Sequence, residues 1–178
     1  MDGFWEKISS YNIFNNLFPG ALFIYFLEKS FQISLSGTDI VKSLVLYYFI
    51  GLIISRFGSI FVEPLLKLFR LVRFRPYTDY ISACKIDQKI ELLQEIANMY
   101  RTLLTMSLLL CASFYSVEML TGKNLILSKY LSLFFIAIFL ISYIKQVRFI
   151  VKRIDAIWEL PLGSFFLTFS LIILHVGA

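Results

Sequence analysis

Long stretches without a charged residue constrain the fold of this chain more than any other feature. The stretch from Tyr130 to Ile144 is entirely uncharged, and the stretch from Thr102 to Leu120 carries only Glu118. A helix that crosses the hydrocarbon core of a bilayer needs about 20 mostly apolar residues, and it satisfies its own backbone hydrogen bonds there. The sequence therefore predicts an all-α, polytopic membrane protein.

The composition points to the same class. Of the 178 residues, 58% are hydrophobic and only 16% are charged, whereas a soluble domain carries about 25% charged residues. A soluble domain of this size could not hide so much apolar surface from water. These values exclude an ordinary soluble enzyme, a disordered chain and a secreted disulfide scaffold. We expect residues 1–178 to form a single membrane domain.

Four transmembrane helices are expected, at about residues 18–35, 43–62, 102–120 and 125–144. Pro64 should kink or end the second of them, because proline has no N–H and clashes with the preceding turn. A short apolar stretch at residues 165–176 follows Pro161 and Gly163. The sequence leaves open whether this stretch is a thin fifth span, a re-entrant piece or a helix packed along the bundle.

The distribution of lysine and arginine predicts the orientation, because the cytoplasmic flanks of membrane helices carry an excess of both. With the N-terminus inside, twelve basic residues lie on the cytoplasmic side, and four (Lys29, Lys42, Lys123 and Lys129) lie outside. Arg56 remains within the membrane. We therefore expect a multi-pass protein with a cytoplasmic N-terminus.

The segment between the second and third spans, residues 64–101, is expected to form a helical hairpin in the cytoplasm. Its first part, Leu65 to Phe74, reads LLKLFRLVRF, with Arg75 directly after it. At helical spacing its cations share one face, as in amphipathic helices that lie on an anionic bilayer. A plain positive flank explains the pattern equally well, and so few cations give no reason to expect nucleic-acid binding. The candidate residues for binding lipid or a partner are Lys67, Arg70, Arg73 and Arg75.

The second part of this segment carries an apolar seam. Ile86, Ile90 and Leu93 begin a series of apolar residues at intervals of four and three, as in a coiled coil. Because no proline or glycine occurs between Thr78 and Ser107, one continuous rod should run into the third span. The seam needs a cover, which is either the basic segment before it, other subunits or a cytoplasmic protein partner.

Polar residues inside the predicted spans are candidates for function, because burying them in hydrocarbon is costly. Arg56 lies in the second span, and Asn12, Asn15 and Asn16 lie at the corresponding depth near the start of the first. Their positions allow a hydrogen-bonded cluster of these side chains. Two alternatives stay open, since Arg56 could simply reach the headgroups or the cluster could line a pore or gate.

A face of small residues predicts close helix packing in the second span. Gly51, Ser55 and Ser59 recur at every fourth residue, and small residues at this spacing let two helices approach closely in a membrane. The contact could lie within one chain or between the subunits of a homo-oligomer.

Residue types that enzymes commonly use are sparse. His175 is the only histidine, and Cys84 and Cys111 lack the CxxC spacing of a metal or redox site. The sequence has no G-x-S-x-G motif, phosphate-binding loop or dinucleotide fingerprint. We therefore expect no enzymatic activity, no metal and no cofactor.

An asparagine-rich start, NIFNNLFPGALFIYF, precedes four predicted spans and a cytoplasmic helical hairpin. In this architecture the chain resembles the membrane subunits of the Kiwa anti-phage defence system. The segments to compare first are NNLFPG at residues 15–20 and ANMYRTLL at residues 97–104. The resemblance implies a homo-oligomer in the bacterial inner membrane that responds to phage attack and holds a cytoplasmic DNA-binding protein.

Two functions fit these features. The first is a non-enzymatic scaffold or sensor of the inner membrane that oligomerises and docks a cytoplasmic partner protein, plausibly in anti-phage defence. The second is an oligomeric pore or channel lined by Arg56 and the asparagines. The lipid bilayer is a partner in both.

Overall fold

The computed structural model describes the backbone of residues 2–159 and the side chains of residues 15–159. The prediction of an all-α chain is confirmed for this part, whereas the stretch at residues 165–176 lies outside it. An α-helix, Ile40–Phe57, continues through a π-turn, Gly58–Val62, into a second α-helix, Glu63–Leu68, and we treat the three as one helix. The described helices are α1 (Asp2–Phe31), α2 (Ile40–Leu68), α3 (Tyr77–Ile86), α4 (Lys89–Thr121) and α5 (Ile126–Glu159).

Short connections arrange the long helices as two antiparallel pairs. Residues 32–39 join α1 to α2, and residues 122–125 join α4 to α5, where Gly122 ends α4 with a left-handed φ of 66°. The most extensive contacts lie within these two pairs, and α4 also packs on α1 and α2. The start of α1, the end of α2, the start of α4 and the end of α5 therefore meet at one end of the bundle, which we call the basic end.

Three helices of the described part are long and apolar enough to cross a membrane, namely α2, α4 and α5 with 29, 33 and 34 residues. They contain the predicted spans at 43–62 and 102–120 in full, and the predicted span at 125–144 from Ile126 onward. These three helices mark the chain as a membrane protein.

The helix that overlaps the predicted first span, α1, has other bounds than expected and does not belong to this group of three. The expected range was 18–35, but α1 begins at Asp2 and ends at Phe31. Gln32 takes a left-handed φ of 57°. The Glu28 carboxylate accepts hydrogen bonds from the backbone N–H groups of Leu35 and Ser36, at 2.6 and 2.5 Å. This turn stops the helix before residue 35.

Of the two outcomes predicted for Pro64, a kink or an end of the helix, the end does not occur. The helix passes through the π-turn Gly58–Val62 immediately before this proline and continues to Leu68. In the π-turn each backbone N–H bonds the carbonyl five residues earlier, as the N–H of Glu63 does with Gly58. The wider turn relieves the clash between the proline ring and the preceding carbonyl groups.

The predicted amphipathic helix at Leu65–Phe74 is also wrong, because the helix ends at Leu68. Arg70 has a left-handed φ of 57°. The N–H of Leu71 bonds the carbonyl of Leu66, and the N–H of Arg70 bonds that of Lys67. This pair of bonds is a Schellman motif, which terminates helices, and residues 69–76 after it form an irregular arm.

The predicted rod from Thr78 into the third span is interrupted. Asp87 is extended, with φ of −134° and ψ of 97°, so α3 ends at Ile86 and α4 begins at Lys89. The Asp87 carboxylate accepts a hydrogen bond from the backbone N–H of Lys89 at 3.1 Å, which satisfies one free donor at the start of α4.

The apolar seam of α4 is covered within the chain. The fourth predicted span ended at residue 144, but α5 continues to Glu159 and packs along α4. A cluster of buried residues joins both helices to the arm and to α3: Val62, Leu66, Val72, Ala83, Cys84, Ile90, Ala97, Leu104, Tyr143, Val147, Ile150 and Ile154. We call residues 65–98 together with 145–159 the extension.

Candidate functional site

A polar cavity of about 220 Å³ opens between α1, α2 and α4 near the basic end. Its walls carry the guanidinium groups of Arg56 and Arg101 and the carboxylate of Glu95, so the lining has an excess of positive charge. The lining residues are Asn15, Asn16, Leu52, Ser55, Arg56, Glu95, Asn98, Arg101 and Thr102.

The structure brings three of the four predicted intramembrane polar residues to this cavity. Asn15 and Asn16 come from α1, and Arg56 comes from α2. The side chain of Asn12 lies outside the described side chains. The sequence did not indicate the contribution of α4, because Glu95 and Asn98 precede the predicted third span and were read as part of the cytoplasmic rod.

Glycines position the cavity by letting α1 and α2 meet backbone to backbone. A Cβ atom on Gly51 would overlap the carbonyl oxygen of Asn16, and a Cβ atom on Gly20 would overlap that of Tyr47. Each glycine therefore faces the backbone of the other helix. The predicted close packing of α2 at Gly51 is therefore a contact within the chain. The sequence pattern did not indicate Gly20, which makes the same contact from α1.

The other two residues of the small-residue face, Ser55 and Ser59, have different surroundings. Ser55 lines the cavity, and Ser59 is half-buried in the π-turn. A Cβ atom on the neighbouring Gly58 would lie 2.5 Å from Thr105 Oγ1, so this glycine allows α2 to approach α4. The three helices around the cavity are thus held at close range by glycines.

An ion-pair network closes the cavity toward α5. Arg101 Nη1 donates to Glu63 Oε2, Lys67 Nζ lies 2.8 Å from Glu63 Oε1, and the Tyr143 hydroxyl donates to Glu63 Oε2 at 3.5 Å. The Arg101 side chain is only 11% exposed. Its Nε is buried and has no hydrogen-bond partner among the described residues. Arg101 thus offers one free donor beside the cavity.

The chemistry of this cavity is suited to hydrogen bonding. Amides, hydroxyls, two guanidinium groups and the Glu95 carboxylate line it, and they can hold water or a small anion. Among the described residues, no group of three or more histidine, cysteine or carboxylate side chains could hold a metal ion.

Two of the four basic residues on the predicted binding face are engaged inside the chain. Lys67 pairs with Glu63 and lies 4.6 Å from the ring centroid of Phe74. Arg75 Nε donates to Asp155 on α5 at 2.6 Å, and this bond raises the pKa of the Arg75 guanidinium. These contacts tie the arm to the helix bundle.

The other two basic residues of the arm face outward. Arg70 and Arg73 are exposed, and neither has an ion pair within the described part of the chain. They are the cations of the arm that a lipid or a protein can reach.

The three predicted seam residues have different environments. Ile90 is fully buried in the contact with α5, and Leu93 is half-buried with its carbonyl accepting a hydrogen bond from Gln146 Nε2 at 3.0 Å. Ile86 is 67% exposed at the end of α3. Only Ile86 presents its side chain to the outside.

A second ion pair fixes α5 against the break between α3 and α4. Arg153 Nε donates to Asp87 Oδ2 at 2.5 Å, and this bond lowers the pKa of the Asp87 carboxyl. Together with the bond between Arg75 and Asp155, it attaches α5 to both the arm and α3. The extension is therefore a packed unit.

The fold defines the class: a helical membrane protein whose extension packs at the basic end of the bundle. Comparisons with known proteins add nothing to this class. No family model, no curated protein and no solved structure matches the chain significantly. The resemblance to the Kiwa membrane subunits therefore stays a prediction.

Proposed function

We propose that this protein is a non-enzymatic scaffold or sensor of the bacterial inner membrane, which forms a homo-oligomer and docks a cytoplasmic protein through its extension. The resemblance to Kiwa membrane subunits makes anti-phage defence the expected setting. The oligomeric state and the defence role in this proposal come from that resemblance.

The continuity of α4 and α5 is the observation that carries the proposal. With 33 and 34 residues, each helix is about 50 Å long at 1.5 Å per residue, whereas the hydrocarbon core is about 30 Å thick. Roughly 20 Å of both helices therefore projects from the membrane. Since Ile90, Val147 and Ile154 are buried between them, a tilt of the spans would move the extension as one body.

The outer surface of the extension has the character of a protein-binding surface. Large apolar side chains are exposed beside the free cations Arg70 and Arg73, and such clusters on a soluble surface commonly mark interaction sites. Several of them lie within one short stretch of chain. They are Leu68 (75% exposed), Phe69 (66%), Tyr77 (75%) and Ile86 (67%).

The proposed topology has four spans, with both termini of the described part in the cytoplasm. In addition to the three long apolar helices, α1 is a span, and it packs on α2 through Gly20 and Gly51. The basic end carries the large excess of lysine and arginine and is therefore placed inside.

The test is extraction of the tagged protein from its host in a gentle detergent, followed by mass determination of the complex. The variant Phe69→Ala/Tyr77→Ala/Ile86→Ala should lose a stoichiometric partner and keep its own oligomeric state. The matched control, Ile40→Ala/Met119→Ala/Leu120→Ala, removes equally exposed side chains at the opposite end of the bundle and should keep the partner. A complex that survives in both variants, or a wild type with no partner, contradicts the proposal.

The second candidate is an oligomeric pore or channel. The polar cavity with Asn15, Asn16 and Arg56 favours it, since water and ions need such a lining. The purified oligomer should then conduct in planar bilayers, and Arg56→Ala should change the conductance. An intact oligomer that stays silent in this assay would eliminate the candidate.

A further inference from the structure

A second concave surface lies along α4 and α5, on a part of the bundle that the polar cavity does not reach. It encloses about 760 Å³. One wall is Tyr100 of α4, and the other is a stripe of α5. The residues that define it are Tyr100, Ile141, Lys145, Arg148, Phe149 and Lys152. We call it the α5 groove.

The charge of the α5 groove is unbalanced. Lys145, Arg148 and Lys152 follow one another at intervals of three and four residues, so their side chains share one face of the helix. All three are exposed, none has an ion pair within residues 15–159, and no carboxylate lines the groove. Arg153, by contrast, faces another way and is paired with Asp87. Three cations with no acid among them fit an anion.

The α5 groove changes from apolar to basic along the helix axis. The uncharged stretch of α5 ends at Ile144, and the exposed side chain of Ile141 lies about 6 Å along the axis before Lys145. From Lys145 to Lys152 the axis advances about 10 Å farther. A membrane phospholipid has the same order, with acyl chains next to a phosphate. A water-soluble anion has no apolar surface to bury against the apolar part of the groove.

We propose that the α5 groove binds an anionic phospholipid of the inner leaflet. Lys145, Arg148 and Lys152 hold its phosphate and headgroup, Ile141 contacts its acyl chains, and Phe149 packs beside the headgroup among the basic residues. The site goes beyond the docking function, because it involves neither the arm nor the exposed residues of α3. It makes the end of α5 sensitive to the lipid composition of the membrane.

The test uses the full-length protein in a mild detergent and native mass spectrometry with two probes, phosphatidylglycerol and phosphatidylcholine with the same acyl chains. The wild type should bind phosphatidylglycerol at least about tenfold more tightly, since each surface cation contributes to binding anionic lipid. Lys145→Gln/Arg148→Gln/Lys152→Gln should abolish this preference. Arg148→Gln alone should weaken it by about fivefold, which keeps the test valid if the triple variant is poorly folded.

Two control variants separate the α5 groove from net charge. Lys85→Gln/Lys89→Gln/Lys123→Gln removes three exposed cations elsewhere and should keep the preference. Lys145→Arg/Arg148→Lys/Lys152→Arg preserves the charge and should keep it too.

Three outcomes would overturn the proposal. The first is an unchanged preference in the triple groove variant, and the second is an equal loss in the control that removes other cations. The third is displacement of phosphatidylglycerol by an excess of inorganic phosphate, which would assign the groove to a free phosphate instead of a lipid.

Discussion

The two helix pairs of this protein are built in different ways. In the pair of α1 and α2, glycines let the backbones touch at Gly20 and Gly51. In the pair of α4 and α5, large side chains such as Ile90, Val147 and Ile154 fill the space between the helices. All four helices are longer than the roughly 20 residues of a span, with 30 and 29 residues in the first pair and 33 and 34 in the second.

In the proposed topology, the contact of α1 with α2 lies inside the bilayer and the contact of α4 with α5 in the extension lies outside it. Inside a bilayer the lipid tails are as apolar as leucine, so helices associate through close packing and polar contacts rather than through burial from water. Outside the bilayer, burying apolar surface stabilises the contact. Large side chains such as Ile54, Leu110 and Phe114 also pack within the predicted spans, so the backbone contact through glycines is specific to α1 and α2.

The largest effect is expected from a side chain that forces α1 and α2 apart. Gly51→Leu places a side chain where the backbone of Asn16 lies, and we expect a loss of about 4 kcal/mol or more, enough to prevent a folded bundle. The measurement is the yield of monodisperse protein after detergent extraction. Gly37→Ala, in a loop with open space around it, should leave the yield unchanged, and a similar loss in both variants would contradict this account of the packing.

The next largest effect is expected from loss of the ion pair between Glu63 of α2 and Arg101 of α4. Glu63→Ala leaves the buried guanidinium of Arg101 without its carboxylate, which should cost about 3–5 kcal/mol of folding free energy. Thermal unfolding in detergent measures it. Glu63→Leu/Arg101→Met should recover much of the loss, and Lys42→Ala, which removes an exposed pair at 3.8 Å, should cost no more than about 0.5 kcal/mol.

A smaller and more local effect is expected from the apolar seam of the extension. Ile90→Ala should destabilise the extension by about 2–4 kcal/mol, because Ile90 is fully buried. Hydrogen exchange should accelerate in residues 77–100 and 145–159 and stay slow in the spans. Ile86→Ala is the matched control, since this isoleucine is 67% exposed and its loss should leave exchange unchanged.

The smallest effect is a dependence on pH at the break between α3 and α4. Arg153 holds the pKa of Asp87 below its ordinary value of 3.8, so the bond stabilises the extension at pH values above 3.8 and is lost as the pH falls through the lowered pKa. Asp87→Asn should therefore show faster hydrogen exchange at pH 7 and no difference from wild type in strong acid. A difference that persists in acid would assign the effect to packing.

The sequence was a good guide where the physics is local. Uncharged stretches predicted the helices that contain residues 43–62, 102–120 and 126–144. The depth of Asn15, Asn16 and Arg56 in their helices placed them at a common level, and all three line one cavity.

The sequence was a poor guide where a distant contact or an unusual turn decides the structure. Arg70 takes the left-handed position of a Schellman motif without the glycine or asparagine that usually marks it. At the helix break, Asp87 bonds Arg153, which is 66 residues away. The continuation of α5 had a readable signal, since Val147, Ile150 and Ile154 recur at intervals of three and four, but the basic residues between them suggested a simple positive flank.

The central claim is that the extension lies in the cytoplasm as a continuation of two spans. The most direct test starts from a Cys84→Ala/Cys111→Ala variant and adds one exposed cysteine, Lys85→Cys in α3 or Lys123→Cys in the loop after α4. With a membrane-impermeant maleimide, intact spheroplasts should label only Lys123→Cys, and opened membranes should label both. Labelling of Lys85→Cys in intact spheroplasts would contradict the account.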